Sequence, residues 1–64
     1  MIYIYTPDNR RPKVWQDLAR AKAWVESDRL VEDSEGPRWY ESEDRWILTV
    51  RWRSELAVLW KVSV

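Results

Sequence analysis

An alternation of large apolar residues with a period of two, in the last third of the chain, constrains the fold most strongly. From Trp46 onwards a large apolar residue occupies every second position up to Trp52, and the pattern returns from Leu56 to Val64. Period-two patterning is typical of strands with one buried and one solvated face, as in antiparallel sheets. The C-terminal third is therefore predicted to form two antiparallel strands.

The faces of these two strands also predict how they pair, because cross-strand neighbours must share a face of the sheet. Placing every large apolar residue on one side pairs Trp52 with Leu56, Val50 with Val58, Leu48 with Trp60 and Trp46 with Val62. In this register Trp46, Trp52 and Trp60 point into the core. Residues 53–55 then form a three-residue loop.

Residues 54–64 also admit a helical interpretation. Leu56, Leu59 and Trp60 share one helical face, but the next position on that face, Ser63, is polar. The valines of this segment are β-branched and favour a strand. The strand interpretation accounts for more positions, and we adopt it.

The N-terminal part of the chain is predicted to form a strand followed by a helix. The segment from Ile2 to Tyr5 is β-branched and aromatic, as strands are. Pro12 suits the first position of a helix. Four apolar residues then recur at helical spacing, namely Val14, Leu18, Ala21 and Val25. We therefore expect a helix from Pro12 to about Ser27–Asp28, with one apolar stripe.

The middle of the chain is predicted to add further strands. Residues 29–32 form a short candidate strand that ends at the turn around Gly36-Pro37. Residues 38–40 form another, joined to the strand that starts at Trp46 by a hairpin at residues 41–44. The predicted fold is α+β: a single domain of residues 1–64, in the order β-α-β-β-β-β or β-α-β-β-β. Its antiparallel sheet ends in a meander, and one helix packs on the apolar face.

Composition excludes several classes of functional site. The chain has 64 residues, with neither cysteine nor histidine. It cannot form a disulfide or a thiolate metal site, and it lacks the commonest zinc ligand and the commonest general base. We expect no cofactor, no metal and no enzymatic activity. Six tryptophans and three tyrosines supply apolar area to a short chain, which is expected to be a monomer or a homodimer.

The charges are sorted along the chain although they sum to zero. Residues 26–44 carry eight carboxylates against two arginines, a local charge of −6, whereas residues 1–25 and 45–64 each sum to +3. Segregated charge can steer binding to an oppositely charged partner. A simpler role is also open, since carboxylates in solvated turns keep a tryptophan-rich domain soluble.

We expect a small non-enzymatic protein that uses an acidic surface to block a basic site, such as a nucleic-acid-binding site, on a larger protein. Carboxylates in two predicted turns would form one ridge that imitates a row of phosphates, provided that both turns emerge at the same end of the sheet. Trp39 beside Tyr40 would be the aromatic anchor. The predicted partner-binding residues are Glu32, Asp33, Glu35, Trp39, Tyr40, Glu41, Glu43 and Asp44. Small size, local acidity and a lack of catalytic groups are typical of phage and mobile-element inhibitors, such as anti-CRISPR proteins.

Two other functions fit the sequence. A nucleic-acid-binding regulator would use Arg10, Arg11, Lys13, Arg51 and Arg53, although a net charge of zero and a pI near 6.2 argue against nucleic acid as the partner. An oligomeric or antitoxin-like interaction module would complete its tryptophan-rich face with an identical or a different chain. We expect a cytoplasmic protein without membrane contact, because no segment resembles a signal peptide or approaches the roughly 20 apolar residues of a membrane helix.

Overall fold

One helix lies against one face of a five-stranded antiparallel sheet, and together they form the α+β domain that the sequence predicts. A computed structural model describes residues 1–29 and 37–63. Its elements are β1 (Ile2–Tyr5), β2 (Lys13–Trp15), α1 (Leu18–Asp28), β3 (Arg38–Glu41), β4 (Arg45–Val50) and β5 (Arg53–Val62). The strand order is β2-β1-β5-β4-β3, so the longest strand, β5, lies in the centre.

The segment after Pro12 is a strand, which corrects the prediction that the helix begins there. Strand β2 pairs with β1, Val14 opposite Ile4 and Trp15 opposite Tyr3. Val14 is 55% exposed and does not belong to the helical stripe. A β-branched residue and an aromatic one favour a strand when a neighbouring strand offers free backbone groups, and this tertiary pairing overrides the helix signal of the proline.

Helix α1 begins where a side chain can cap it. The Asp17 carboxylate accepts hydrogen bonds from the backbone N–H groups of Ala19 and Arg20, at 3.0 and 3.4 Å, as an N-cap does. The helix ends at Asp28, as predicted. Ala21 and Val25 are fully buried against the sheet, whereas Ala19 and Ala23 face solvent.

The core lies between α1 and the covered face of the sheet. Among the described residues, its buried cluster consists of Tyr5, Ala21, Val25, Leu48, Ala57 and Leu59. Four tryptophans, Trp15, Trp24, Trp39 and Trp46, pack around it, and Trp15 lies 5.6 Å from Trp24 between ring centroids. The core is therefore small, and aromatic rings close its margins.

The pairing of β4 with β5 differs from the predicted register. Leu48 lies opposite Ala57, not Trp60, a displacement of three residues, and Trp46 lies opposite Leu59. Residues 51–52 form the turn, so the predicted loop at 53–55 is part of β5. Because side chains alternate between faces, an odd displacement turns the whole of β5 over. Its smaller residue Ala57 lies beneath the helix, where there is room for α1 to approach.

The tryptophans of this hairpin consequently do not all face the core. Trp46 packs against the core cluster, as expected. Trp52 is 69% exposed at the β4–β5 turn, and Trp60 is 38% exposed on the face of the sheet that α1 does not cover. Both predictions of an inward ring were therefore wrong. Strand, not helix, is confirmed for residues 53–62.

Residues 30–36 and 64 lie outside the described part of the chain. The candidate strand at residues 29–32 falls almost wholly within this range, as do Gly36 and its predicted turn. Arg29 itself forms a turn at the end of α1, where its backbone N–H donates to the carbonyl of Val25.

Candidate interaction surface

The acidic turn, residues 41–44, joins β3 to β4 at one end of the sheet. It carries Glu41, Glu43 and Asp44, all exposed. The Lys61 ammonium donates to the Glu41 carboxylate at 3.0 Å, and the Arg45 guanidinium donates to Asp44 at 3.0 Å. These two ion pairs lower the charge that the turn presents. Among the described carboxylates of the turn, Glu43 alone has no such ion pair.

The two aromatic residues predicted as an anchor point to opposite faces. Trp39 lies on the helix side, where its indole N–H donates to the Glu26 carboxylate at 2.7 Å and the Lys22 ammonium lies 5.8 Å from its ring centroid. Tyr40 lies on the other face and is 52% exposed. Of this pair, Tyr40 offers an accessible ring, whereas Trp39 closes the margin of the core.

The predicted acidic ridge also includes Glu32, Asp33 and Glu35, which lie outside the described residues. The nearest described arginines on either side of them are Arg29 and Arg38. Arg38 pairs with Thr49 near the far end of β4, and Arg29 lines a cavity with Arg53 at the start of β5. Both flanking residues thus lie at the end of the sheet opposite the acidic turn.

The basic residues of the alternative nucleic-acid site lie in or beside the β1–β2 loop and the β4–β5 turn, and residues 6–8 of that loop line one cavity with Arg53. Arg10 is bound to Asp28 at 2.7 Å, and the Lys13 ammonium lies over the Trp24 ring, 5.4 Å from its centroid. Arg51 and Arg53 lie at the β4–β5 turn. Arg10 and Lys13 therefore serve contacts within the molecule.

Asp28 ties the β1–β2 loop to the end of the helix. Its carboxylate accepts hydrogen bonds from the Arg10 guanidinium at 2.7 Å and from the Tyr5 hydroxyl at 3.0 Å. The Arg10 hydrogen bond lowers the pKa of Asp28 below its ordinary value, and the same bond raises the pKa of Arg10. Burial, and then the Asp28 hydrogen bond, raise the pKa of Tyr5. The cluster positions the loop and is structural.

The face of the sheet opposite α1, here called the open face, is a larger feature. The pairings and the alternation of side chains place eight apolar residues on it: Ile2, Ile4, Val14, Tyr40, Ile47, Val58, Trp60 and Val62. They come from all five strands and range from half-buried to more than half exposed. No other element of the described chain packs on this face. Contiguous exposed apolar residues are typical of interaction sites, so the open face is the candidate interaction surface.

The open face has a distinctive charge pattern. Among the described strand residues on this face, the charged ones are Arg38 and Arg45. None of the described strand residues on this face is aspartate or glutamate. The Arg45 guanidinium lies 4.6 Å from the centroid of the Trp60 ring, in a cation–π contact. Since Arg45 also bonds Asp44, the acidic turn is joined to the rim of the open face.

Other possible sites are minor. A cavity of about 220 Å³ is lined by Asp8, Arg29 and Arg53 among others, and it is smaller than the several hundred Å³ typical of small-molecule sites. Within residues 1–29 and 37–63, no group of three potential metal ligands is found. In the same residues, no helix has the length and apolarity to cross a membrane.

Comparisons with protein-family models, curated proteins and solved structures gave no match to this chain.

Proposed function

We propose that this chain is a small non-enzymatic binding protein whose contact surface is the open face of its sheet. The observation that carries the proposal is the set of eight apolar residues, drawn from all five strands, that the helix leaves uncovered. The partner this surface fits is a protein with a flat apolar surface.

The composition of the open face supports this role. Protein interfaces have an apolar centre rich in tyrosine, tryptophan and arginine, and a polar rim. Trp60 lies on the central strand, with Arg45 over its ring, and Tyr40 lies towards one edge. Arg38 and the acidic turn lie at the margin. This arrangement makes Trp60 the first candidate for a binding hot spot.

The acidic turn extends the proposal to the charge of the partner. Asp44 stands beside the open face through its bond with Arg45, whereas Glu41 lies on the helix side opposite Trp46. Asp44 and Glu43 would meet basic groups around the partner's apolar surface, which raises the rate of association more than the affinity. One form of this function is to block a basic site on a larger protein, as inhibitors of the phage and mobile-element type do. Glu43 is the carboxylate most available for it. We place the protein in the cytoplasm, which the cysteine-free composition supports.

A second candidate is binding of single-stranded nucleic acid on the same face. Tyr40 and Trp60, with Arg38 and Arg45, provide aromatic rings and cations on an antiparallel sheet, and bases stack on such surfaces. It ranks second because Arg45 is already paired with Asp44 and the chain carries no net charge. A mobility-shift experiment with single-stranded DNA at low salt tests it, and binding that Trp60→Ala abolishes would favour it over a protein partner.

The proposed function is tested by capture of proteins from extracts of the producing cells on the immobilised chain. Three baits are compared: the wild type, Val14→Lys/Val62→Lys on the open face, and Ala19→Lys/Ala23→Lys on the exposed side of α1. The two double variants gain the same charge. We expect a protein that the wild type and the helix variant retain and the open-face variant loses by at least tenfold.

A separate comparison tests the acidic turn. Glu43→Lys should weaken capture and make it less sensitive to salt, whereas Glu55→Lys on β5, with the same change of charge, should not.

Equal capture by the wild type and the open-face variant would contradict the proposed function.

A further inference from the structure

We propose that the open face binds a second copy of this chain, which gives a two-fold symmetric dimer with its two β5 strands facing each other. The proposal depends on the proposed function, since it takes the open face to be the binding surface and names its occupant.

The first argument is the small size of the core. Seven described apolar residues are buried, and two of them are alanines, Ala21 and Ala57. The open face carries eight apolar residues, including Trp60 and Tyr40. A chain of 64 residues without cysteine is near the limit at which one core suffices, and such chains gain stability by association. A second copy on the open face would supply a second apolar layer.

The second argument is the area of the open face. The five strands have 4, 3, 4, 6 and 10 residues, so at about 3.3 Å per residue and 4.8 Å between strands the face has a projected area of roughly 430 Å². This is about half of the 800 Å² that a stable interface buries on each partner, so a partner must cover the whole face and its rim to form a dimer that dissociates only on dilution. A single helix, about 10 Å wide, would leave much of the face uncovered. A sheet of equal size covers it, and sheets pack face to face about 10 Å apart.

The third argument is the distribution of charge across the open face. Strands β3 and β4 contribute its arginines, Arg38 and Arg45, whereas the open-face residues of β1 and β2 are Ile2, Ile4 and Val14, all uncharged. Because β5 is the middle strand, a two-fold axis parallel to it places the cationic half of one copy over the uncharged half of the other. Like charges are thereby kept apart, and Trp60 lies at the centre of the interface, where hot spots cluster.

The experiment is sedimentation velocity on the full chain over a range of concentrations. We expect the wild type to sediment with twice the chain mass of 7.9 kDa and to dissociate on dilution. Val14→Lys/Val62→Lys should sediment as a single chain, because it places four lysines in the dimer interface. The matched variant Ala19→Lys/Ala23→Lys should remain a dimer. Near-ultraviolet circular dichroism establishes that each variant is folded.

A second measurement needs no variant. If the dimer forms, the unfolding temperature of the wild type rises with protein concentration, since association stabilises the folded chain by mass action. A wild type that is monomeric at every concentration, or a dimer that the open-face lysines leave intact, would overturn the inference. If the wild type is monomeric while those lysines still abolish capture of another protein, the proposed function stands and only the second copy is excluded.

Discussion

At the scale of single residues, several carboxylates of the acidic stretch form hydrogen bonds and ion pairs within the molecule. Asp28 binds Arg10 and Tyr5, Glu41 binds Lys61, and Asp44 binds Arg45. A sequence shows how many carboxylates a segment carries, but not which cations the fold brings to them. The acidic surface is therefore weaker than the local charge of −6 suggests.

Asp28 gives a prediction about pH. Its hydrogen bond with Arg10 lowers its pKa in the folded chain, so the folded state releases this proton more readily than the unfolded state does. The resulting stabilisation is complete above the unfolded pKa of about 3.9 and is lost as the pH falls through the lower folded value. Asp28→Asn should flatten the loss of stability below about pH 4, measured by urea unfolding at several pH values. Identical acid limbs in the wild type and Asp28→Asn would contradict this role.

Trp39 gives a prediction about the margin of the core. Trp39→Phe keeps an aromatic ring but removes the indole N–H that donates to Glu26. We expect the free energy of unfolding to fall by about 1 kcal/mol, because a partly buried carboxylate loses its donor. Tyr40→Phe, on the adjacent exposed residue, should change it by less than about 0.5 kcal/mol. If Trp39→Phe is as stable as Tyr40→Phe in denaturant titrations, the hydrogen bond between Trp39 and Glu26 does not contribute to the free energy of unfolding.

At the scale of elements, the sequence indicates β1, the hairpin β3–β4, the strand character of β5 and the end of α1. It does not indicate which face of β5 is buried. Ala57 and Leu59 alternate with Val58 and Trp60, so both faces of β5 are apolar. Residue size alone then predicts that the face with Trp60 is the buried one. Turn geometry and the room needed by the helix decide the register, and neither can be read from hydrophobicity. The open face was missed for the same reason, although apolar residues on both faces of one strand could have signalled it.

The register of the β4–β5 hairpin is testable by two truncations. Leu59→Ala removes a fully buried side chain and should cost about 3 kcal/mol, as cavities in cores do. Trp52→Ala removes a larger ring that is 69% exposed and should cost less than about 1 kcal/mol. The predicted register, with Trp52 inside, requires the reverse order. Urea unfolding of both variants decides between the two registers.

The start of α1 is testable at its cap. Asp17→Ala removes the carboxylate that accepts from Ala19 and Arg20 and should destabilise the domain by about 1 kcal/mol. Gln16→Ala, one residue earlier, should have little effect. A helix that began at Pro12 would place Asp17 in its interior, and Asp17→Ala would then stabilise it, since alanine has the higher helix propensity. The sign of the change in chemical denaturation therefore identifies the first residue of the helix.

At the scale of the whole molecule, residues 1–29 and 37–63 leave one face of the sheet without a covering layer. Small α+β domains bury the apolar side of a sheet beneath helices. This chain has one described helix and apolar residues on both sides of its sheet. We propose that its eight apolar residues are covered by another protein, because burial of apolar surface is favourable.

The most direct test of this account is an isotope-filtered NOE experiment on a mixture of ¹³C-labelled and unlabelled wild-type chains, which needs no substitution. We predict intermolecular NOEs from the side chains of Val58, Trp60 and Val62 to open-face residues of the other copy, and none from Leu59. Intermolecular NOEs from Ala19 and Ala23 on the helix, or none from the open face at concentrations where the chain sediments as a dimer, would contradict it.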